Sequence, residues 1–316
     1  MMRWLLALAL PVLARAQFDL YACATMTKEY VVGAKLPPSG LFVHRAGWEH
    51  EGYNHPFIFS LDYDPADTST LYLAAGNGLI RASKQGWKIL TGSDVTELRD
   101  VFVDRSDGAI YYAYSHGVRV SRDHGATWKE IGATLHRKFT ETVRASRGVI
   151  VIGGEEGIFR STDAGATWNI AGAAGFQVTR VEQSTHKACD WIATTQGGGI
   201  FVSHDCAVTF ENAGRAGVGA TLYDVAYDPW HAQRIAVAGI GPGVAISDDG
   251  GKTWTPRNLG LPAAEAVSVI FDPGTGGWMY ASVRDEGLYV SRDGGLHWSL
   301  HGLAGSVVNR MRFVPK

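Results

Sequence analysis

The chain lacks an excess of basic residues, because 29 Lys and Arg residues stand against 31 Asp and Glu residues. Binding to a phosphate backbone needs such an excess, so the composition argues against a nucleic-acid partner. Three cysteines are too few to build a small disulfide-rich fold. Histidines with metal-ligand spacing, phosphate-binding glycine loops and Gly-x-Ser-x-Gly motifs are missing as well, and we expect neither a metal nor a cofactor.

Long apolar runs are missing beyond the N-terminus, so we expect no transmembrane segment in the mature chain. A short basic start is followed by an apolar run from Trp4 to Leu13, and then by Ala14 and Ala16 at the −3 and −1 positions of a cleavage site. This arrangement is typical of a secretory signal peptide over residues 1–16. We predict cleavage near Ala16 and export to the periplasm or the extracellular space, with residues 17–316 forming one monomeric domain.

Glycine and hydrophobic residues, in contrast, are plentiful. The hydrophobic fraction of 46% is enough for a sizeable core, and 39 glycines favour many turns over a helical bundle. One octet recurs as Ser121–Trp128, Ser161–Trp168, Ser247–Trp254 and Ser291–Trp298, with a degenerate copy at Ser203–Phe210 and shortened copies ending at Trp48 and Trp87. The closing aromatic residues lie 39 to 44 residues apart, so seven units account for the mature chain.

The octet resembles the Asp-box, or BNR repeat, with the pattern S-x-D-x-G-x-T-W. The resemblance covers nearly the whole mature chain and implies that each octet forms a tight turn on the outside of a propeller blade. In such a turn the Asp side chain caps backbone N–H groups and the aromatic ring covers the loop, so its role is structural rather than catalytic or metal-binding. The structural box residues are then Asp123, Trp128, Asp163, Trp168, Asp205, Phe210, Asp249, Trp254, Asp293 and Trp298.

Each unit also contains four short β-rich runs separated by Gly, Pro or Asp, as residues 221–258 illustrate. Seven such units predict an all-β fold, a seven-bladed β-propeller of four-stranded antiparallel blades. The last segment, residues 307–315, resembles a first strand with no later strands after it. Residues 28–52 supply later strands with no obvious first strand of their own. We therefore expect one composite blade, built from both ends of the chain, to close the ring.

The aligned first strands contain one apolar column between two largely polar ones. The apolar column is Leu61, Val101, Val143, Val181, Val225, Val269 and Met311. The column before it is Ser60, Asp100, Thr142, Arg180, Asp224, Ser268 and Arg310, and the column after it is Asp62, Phe102, Arg144, Glu182, Ala226, Ile270 and Arg312. Because side chains alternate along a strand, both outer columns point the same way, which we predict to be the central channel.

The charges of these columns have two interpretations. In the first, the channel is filled with water and its charges neutralise each other. In the second, Arg180 and Arg310 hold an anionic or polar ligand, and aromatic residues such as Tyr223, Phe57 and Phe139 form the rim. The candidate ligand-binding residues are Asp62, Asp100, Arg144, Arg180, Glu182, Tyr223, Asp224, Arg310 and Arg312.

Resemblances among Asp-box propellers imply two functions. Sialidases and xyloglucan-type glycosidases need positioned catalytic groups, but the early Arg-Ile-Pro-like motif of sialidases is missing and xyloglucanases usually span two propellers. The phrases Gly157–Asp163 and Gly287–Asp293 look like those of the photosystem II stability/assembly factor and sortilin-type propellers, which implies a scaffold or chaperone-like role. We expect an exported, non-enzymatic module that binds a protein segment or a carbohydrate. The alternative is a secreted glycoside hydrolase, for which no catalytic residue is assigned.

Two of the three cysteines flank a predicted hairpin. If residues 196–199 form its turn, Thr195 faces Ile200 and Cys189 faces Cys206. Directly opposed cysteines in an exported protein can form a cross-strand disulfide, and two buried free thiols are the other interpretation. Cys23 is left over.

Overall fold

A computed structural model describes residues 18–28, 37–136, 139–213 and 218–316. The regular secondary structure in these ranges consists of β-strands, and no helix occurs in them. The predicted signal peptide, with its cleavage site near Ala16, lies outside the described residues. Within the ranges given, the structure contains no helix long and apolar enough to cross a membrane.

The described strands fall into antiparallel groups of four, which we number as blades from the N-terminus; two of these groups, blades 5 and 6, are joined into one eight-stranded sheet by pairing of Gln196 with Thr221 and of Gly198 with Val218. Blade 1 contains β1 (Phe18–Met26), β2 (Gly40–His44), β3 (Trp48–Glu51) and β28 (Ser306–Pro315). Blade 2 contains β4 (Ile58–Tyr63), β5 (Leu71–Ala75), β6 (Gly78–Ser83) and β7 (Gly86–Ile89). Blade 3 contains β8 (Asp100–Val103), β9 (Ile110–Tyr114), β10 (Gly117–Ser121) and β11 (Lys129–Glu130).

Four further groups complete the series. Blade 4 contains β12 (Thr140–Ser146), β13 (Val149–Gly154), β14 (Gly157–Ser161) and β15 (Asn169–Gly172). Blade 5 contains β16 (Val178–Gln183), β17 (Trp191–Gly198), β18 (Ile200–Ser203) and β19 (Glu211–Asn212). Blade 6 contains β20 (Val218–Tyr227), β21 (Ile235–Ile240), β22 (Gly243–Ser247) and β23 (Thr255–Pro256). Blade 7 contains β24 (Ala266–Phe271), β25 (Met279–Val283), β26 (Gly287–Ser291) and β27 (Ser299–Gly302).

The two ends of the chain share blade 1, as the sequence predicts. Strand β28 pairs with β1 along its length, from Phe18 opposite Pro315 to Met26 opposite Ser306. The first strand of each blade, which we call its inner strand, contacts the inner strand of the next blade, and β28 contacts both β24 and β4. The ring is therefore closed by the C-terminal strand. The second strand of the composite blade starts at Phe18, before the predicted segment 28–52.

The apolar column of the inner strands packs between blades. Each member is at most 3% exposed, and the apolar clusters combine residues of neighbouring blades. A four-stranded sheet cannot cover both of its faces alone, so this packing is the main source of stability. The inner strands run from what we call the start face of the ring to its end face, which carries the Asp boxes.

The Asp boxes have one repeated hydrogen-bond pattern. In blade 4, Asp163 accepts hydrogen bonds from the Ser161 hydroxyl at 2.8 Å, the Thr167 backbone N–H at 3.0 Å and the Thr167 hydroxyl at 2.6 Å. The residues after the Asp adopt positive φ, 59° at Ala164 and 82° at Gly165. The equivalent caps are centred on Asp123, Asp205, Asp249 and Asp293.

The box tryptophans also tie neighbouring blades together. Trp168 Nε1 donates to Ile131 O of the preceding blade at 2.7 Å, and Trp128 and Trp298 donate in the same way to Leu90 O and Arg257 O. Trp254 differs, because its Nε1 donates to Gly251 O of its own box at 3.0 Å. Phe210 has no such donor, yet it is 6% exposed and its backbone N–H donates to Ala171 O.

The structure joins Cys189 and Cys206 by a disulfide, although the register that suggested it is wrong by one residue. In the hairpin, Thr194 rather than Thr195 lies opposite Ile200. The pairing ends at Trp191 and Ser203, and the following Asp-box turn brings the two cysteines together. Cys23 lies buried in β1 with a free thiol.

Candidate functional site

Six of the seven inner strands have one extra residue directly before their first polar column, and in the seventh, β8, Arg99 stands at this position just before the strand and donates its backbone N–H to Ala113 O. In β4, for example, Ile58 pairs with Ala75 and Ser60 with Ala74, so Phe59 is left over as a β-bulge. The corresponding residues are Phe59, Arg99, Glu141, Thr179, Tyr223, Val267 and Asn309. A bulge re-aims the neighbouring side chains, and here the polar columns reach towards the next inner strand. The sequence analysis did not predict these bulges.

Asp100 shows how completely the central carboxylates are bonded. Its Oδ1 accepts a hydrogen bond from the Ser60 hydroxyl at 2.6 Å and pairs with Arg180 Nη1 at 3.0 Å. Its Oδ2 accepts from the Thr142 hydroxyl at 3.1 Å and from Arg144 Nη1 at 2.8 Å. The residue is 0% exposed, so these neighbours replace water around its charge.

Three central carboxylates also bind the backbone of the next inner strand. Val103 N donates to Asp62 Oδ2 at 2.8 Å, Val143 N to Asp100 Oδ2 at 3.3 Å, and Val269 N to Asp224 Oδ2 at 3.1 Å. A contact between a carboxylate and a backbone N–H therefore recurs at three junctions between neighbouring blades, from the first polar column at Asp100 and Asp224 and from the second at Asp62, which indicates a structural role in linking adjacent inner strands.

Arginines link these carboxylates into a continuous network. Arg144 bridges Asp100 and Glu182, with its Nη2 2.5 Å from Glu182 Oε1. Arg180 bridges Asp100 and Glu182 at 3.0 and 2.8 Å and lies 3.7 Å from Asp224. Arg310 Nη1 pairs with Asp224 Oδ1 at 2.8 Å.

A second, smaller group surrounds Asp62. Its Oδ1 pairs with Arg312 Nη2 at 3.0 Å and also with Arg105 Nη2. The Arg105 guanidinium lies 3.9 Å from the centre of the Tyr63 ring and donates to Tyr63 O. We call the charged residues of both groups the central cluster: Asp62, Asp100, Arg105, Arg144, Arg180, Glu182, Asp224, Arg310 and Arg312.

The central cluster fills the axis of the ring at this level. Asp62, Asp100, Arg144, Arg180 and Asp224 are each at most 3% exposed. These five side chains are therefore shielded from water and their charges compensate each other, whereas the side chains of Glu182 and Arg312 are 23% and 28% exposed. Long charged side chains reach from one inner strand to another and pair with opposite charges at the centre of the ring, and this pairing keeps water away from them.

Below the network, the end face opens into a cavity of about 340 Å³, which we call the end-face cavity. Arg180, Glu182, Arg310 and Arg312 contribute its charged wall. Its remaining wall is mainly apolar and aromatic, and includes Phe18, Tyr63, Val225, Tyr227, Pro229, Val269, Phe271, Pro273 and Phe313. A concave apolar pocket with a few converging polar groups is the usual form of a binding site.

Of the predicted site residues, Tyr223 does not join the central cluster. It is the bulge residue of β20 near the start face, where its hydroxyl accepts a hydrogen bond from Arg284 Nη2 at 3.0 Å. Phe57 is 57% exposed there and stacks on Phe59, whereas Phe139 is half-buried. These aromatic residues belong to the opposite face from the cavity.

Several residues of the central cluster and of the cavity wall were missed by sequence reasoning. Arg105 lies in a loop after β8, outside the aligned columns, and Phe18 precedes every recognised repeat. Tyr63 and Tyr227 each stand one residue before the Asp-Pro pair that marks the end of an inner strand, and this position is a signal that could have found them.

Two groups next to the end-face cavity have a shifted pKa, Asp224 and Tyr227. Burial raises the pKa of Asp224, with the Arg310 guanidinium opposing it, but both oxygens of Asp224 are already occupied. Burial, together with Asp190 and Glu182, raises the pKa of Tyr227 above that of an ordinary phenol. Among the described residues, no group of three or more His, Cys, Asp and Glu side chains is arranged to hold a metal ion.

Comparison with known proteins gives one family match and several likenesses of fold. The BNR/Asp-box repeat model matches residues 245–256. Over 118 residues the chain is 31% identical to an oligoxyloglucan-reducing end-specific xyloglucanase of Emericella nidulans, which covers 33% of this chain and 14% of the relative. Similarity to the enzyme is therefore confined to a small part of its length.

Two solved structures illustrate the similarity of fold. The GH74 xyloglucanase of Xanthomonas campestris is 19% identical with a TM-score of 0.64, covering 77% of this chain and 45% of that one. A structure of YCF48 bound to D1 peptide is 17% identical with a TM-score of 0.59, covering 77% of this chain and 81% of that one. The chain thus spans less than half of the xyloglucanase. It is a β-propeller that carries a BNR/Asp-box repeat, similar in fold to the GH74 and YCF48 propellers.

Proposed function

We propose that the protein is an exported, non-enzymatic binding module that holds a protein segment in its end-face cavity. One observation carries this proposal: each central carboxylate is paired with arginine, and three of them also accept a backbone N–H of the next inner strand. None is therefore free to act as acid, base or nucleophile. A pocket of aromatic, apolar and arginine side chains remains, and these residue types dominate binding energy at protein interfaces.

A peptide ligand is supported by the similarity to YCF48, a propeller of comparable length whose solved structure has a bound peptide. Export is supported by the signal-peptide pattern of residues 1–16 and by the disulfide between Cys189 and Cys206, because disulfides persist in oxidising compartments.

The test is to pan a random peptide library against the mature chain and to measure the affinity of the enriched peptides. Ala226 lines the end-face cavity and is half-buried, so Ala226→Trp fills the cavity without removing a charge. Ala232 is exposed outside it, and Ala232→Trp is the matched control. We expect the enriched peptides to bind the wild type and Ala232→Trp but to lose affinity at least tenfold for Ala226→Trp. Peptides that bind all three proteins equally would contradict the proposal.

A secreted glycoside hydrolase is the second candidate, because the sequence relative and the GH74 neighbour are xyloglucanases. The check is a panel of xyloglucan oligosaccharides and chromogenic glycosides with wild type, Asp100→Asn and Asp224→Asn. We expect no turnover by the wild type. Turnover that either variant abolishes, while circular dichroism still reports a folded protein, would favour the hydrolase.

A further inference from the structure

The central cluster consists of two groups with different net charge. The larger group has three arginines and three carboxylates and is neutral: Arg144, Arg180, Arg310, Asp100, Glu182 and Asp224. The smaller group has two arginines, Arg105 and Arg312, on the single carboxylate of Asp62. It therefore carries one positive charge in excess, next to the end-face cavity.

Two arginine nitrogens in the cavity wall are also without an acceptor. The Nε atoms of Arg310 and Arg312 are buried and meet no hydrogen-bond acceptor in the described part of the chain. Both arginines line the cavity, and they stand two residues apart on β28, so their side chains leave the strand on the same side. A buried N–H of a charged group without an acceptor is costly, and this cost is relieved when an anion binds.

The protein itself has no spare carboxylate in the cavity wall to supply that anion. Glu182 is the only acidic residue known to line the cavity among the described residues, and its Oε1 already pairs with Arg144 and Arg180. Asp19, which follows Phe18 on β1, pairs with Arg45 through Oδ2 and with Lys316 through Oδ1, although Oδ1 is buried and accepts no hydrogen bond in the described part of the chain. It is not among the residues that line the cavity. A bound anion would supply the negative charge that this wall lacks.

We propose that the end-face cavity recognises a single carboxylate of a bound peptide, held by Arg312 and Arg310, with the neighbouring apolar group of the peptide packed against Phe271 and Phe313. This inference rests on the proposed function and specifies the chemical class of the ligand. An excess of one charge fits a monoanion, and the mainly apolar remainder of the cavity wall favours an apolar group next to the acid. The carboxylate belongs either to a peptide C-terminus or to an Asp or Glu side chain.

The test uses small probes and the full mature chain. N-Acetyl-phenylalanine and its amide represent a C-terminal acid, and N-acetyl-glutamyl-phenylalanine amide and its glutaminyl counterpart represent an acidic side chain. Binding is measured by titration calorimetry and ligand-observed NMR. We expect at least one acid to bind about tenfold or more tightly than its neutral counterpart, in line with a charge-assisted hydrogen bond, and to weaken as salt is added. The pair that discriminates identifies the source of the carboxylate.

Three variants locate the effect. Arg312→Gln should abolish the preference for the acid, and Arg312→Lys should retain part of it because the charge remains. Arg81→Gln is the control, since Arg81 also has a buried, unpartnered Nε but lies on β6 away from the cavity. Equal binding of acids and amides, no binding of either acid, or an unchanged preference in Arg312→Gln would overturn the inference. If Arg312→Gln does not fold, the acid and amide comparison in the wild type and Arg312→Lys decides.

This result can be separated from the proposed function. Library peptides that lose affinity for Ala226→Trp but bind equally well after every Glu and Asp is changed to its amide, and with a free or an amidated C-terminus, would overturn only the carboxylate. Library peptides whose affinity is unchanged by Ala226→Trp would overturn both the proposed function and the recognition of a carboxylate.

Discussion

The aspartates of the Asp boxes and those of the inner strands stabilise the same ring by different means. Asp163 of a box lies at the surface and accepts hydrogen bonds from Ser161 and Thr167, both within four residues of it. Asp100 of an inner strand is buried and accepts from Ser60 and Arg144, which lie 40 and 44 residues away. The first kind fixes a turn within one blade, whereas the second connects neighbouring blades around the axis.

The box aspartates and the inner-strand aspartates also differ in how their negative charge is stabilised. Hydrogen bonds from Thr167 and Ser161 lower the pKa of Asp163 to about 2, and water is close at hand to solvate the carboxylate. Asp100 has no contact with water, so its stability depends on the guanidinium groups of Arg144 and Arg180. Removing a partner of an inner-strand aspartate such as Asp100 should therefore lower the free energy of unfolding much more than removing a partner of a box aspartate such as Asp163.

Deletion of residues 305–316 should have the largest effect of all. It removes β28, and with it the inner strand of blade 1 and the arginines Arg310 and Arg312. We expect the truncated chain to unfold or aggregate, because blades 7 and 2 lose their common neighbour. Circular dichroism and size-exclusion chromatography measure this. A truncated protein with the wild-type melting temperature would show that the seam does not close the ring.

Asp100→Asn should have the next largest effect. The change leaves Arg144 and Arg180 with one buried partner fewer, and breaking a buried ion pair in this way costs about 3 to 5 kcal/mol. Urea denaturation measures the free energy of unfolding. Asp163→Asn is the matched control, and its loss should be clearly smaller because the site is exposed. If both variants lose the same free energy of unfolding, the aspartates of the Asp boxes and those of the inner strands do not differ in the way described above.

The same distinction explains what could be predicted from the sequence. The boxes are local, so their spacing alone predicts the repeat and the propeller, and the composite blade follows from incomplete units at the two ends. The apolar column is also predictable, because Leu61, Val225 and Val269 stand at the same position before Asp-Pro pairs and the repeat spacing aligns the other four members with them.

The geometry of the axis could not be predicted in this way. The polar columns identify Asp100, Arg144 and Arg180, but the bulges that re-aim these side chains have no common residue type, since Phe59, Glu141 and Thr179 all occupy them. Charges that meet from blades forty residues apart are set by the closed ring, not by neighbours in the chain. The ion pair of Arg105 with Asp62 could not be predicted for the same reason, because Arg105 lies in a loop of the next blade.

The seam between blades 7 and 1 should make stability pH-dependent. The rings of His44 and His301 lie 4.6 Å apart beside Trp48 and Tyr280, and burial, with His44 and Arg292 nearby, lowers the pKa of His301 to about 4. Because the unfolded chain takes up this proton near pH 6.5, the free energy of unfolding should fall as the pH drops from about 6.5 to 4. The loss should be on the order of 2 kcal/mol.

This effect is measured by urea denaturation between pH 7 and 5, above the pH at which the box aspartates of the unfolded chain take up protons. His301→Phe should flatten the profile, because it removes the titrating ring and keeps the aromatic packing. His116→Gln is the control, since His116 is exposed. A slope unchanged by His301→Phe would mean that the acid sensitivity arises elsewhere.

The smallest effect should come from the hydrogen bonds of the box tryptophans. Trp168→Phe removes the bond from Nε1 to Ile131 O in the preceding blade, and we expect a loss of about 1 kcal/mol in the free energy of unfolding. Trp254→Phe should cost less, because Trp254 donates within its own box and its loss leaves the contact between blades in place. Phe210 already occupies the corresponding position of blade 5 and packs there without a donor. If Trp168→Phe and Trp254→Phe lower the free energy of unfolding equally, the packing of the indole rings, rather than their N–H groups, holds neighbouring blades together at the Asp boxes. The outer turns would then depend on packing, whereas the central cluster depends on charge.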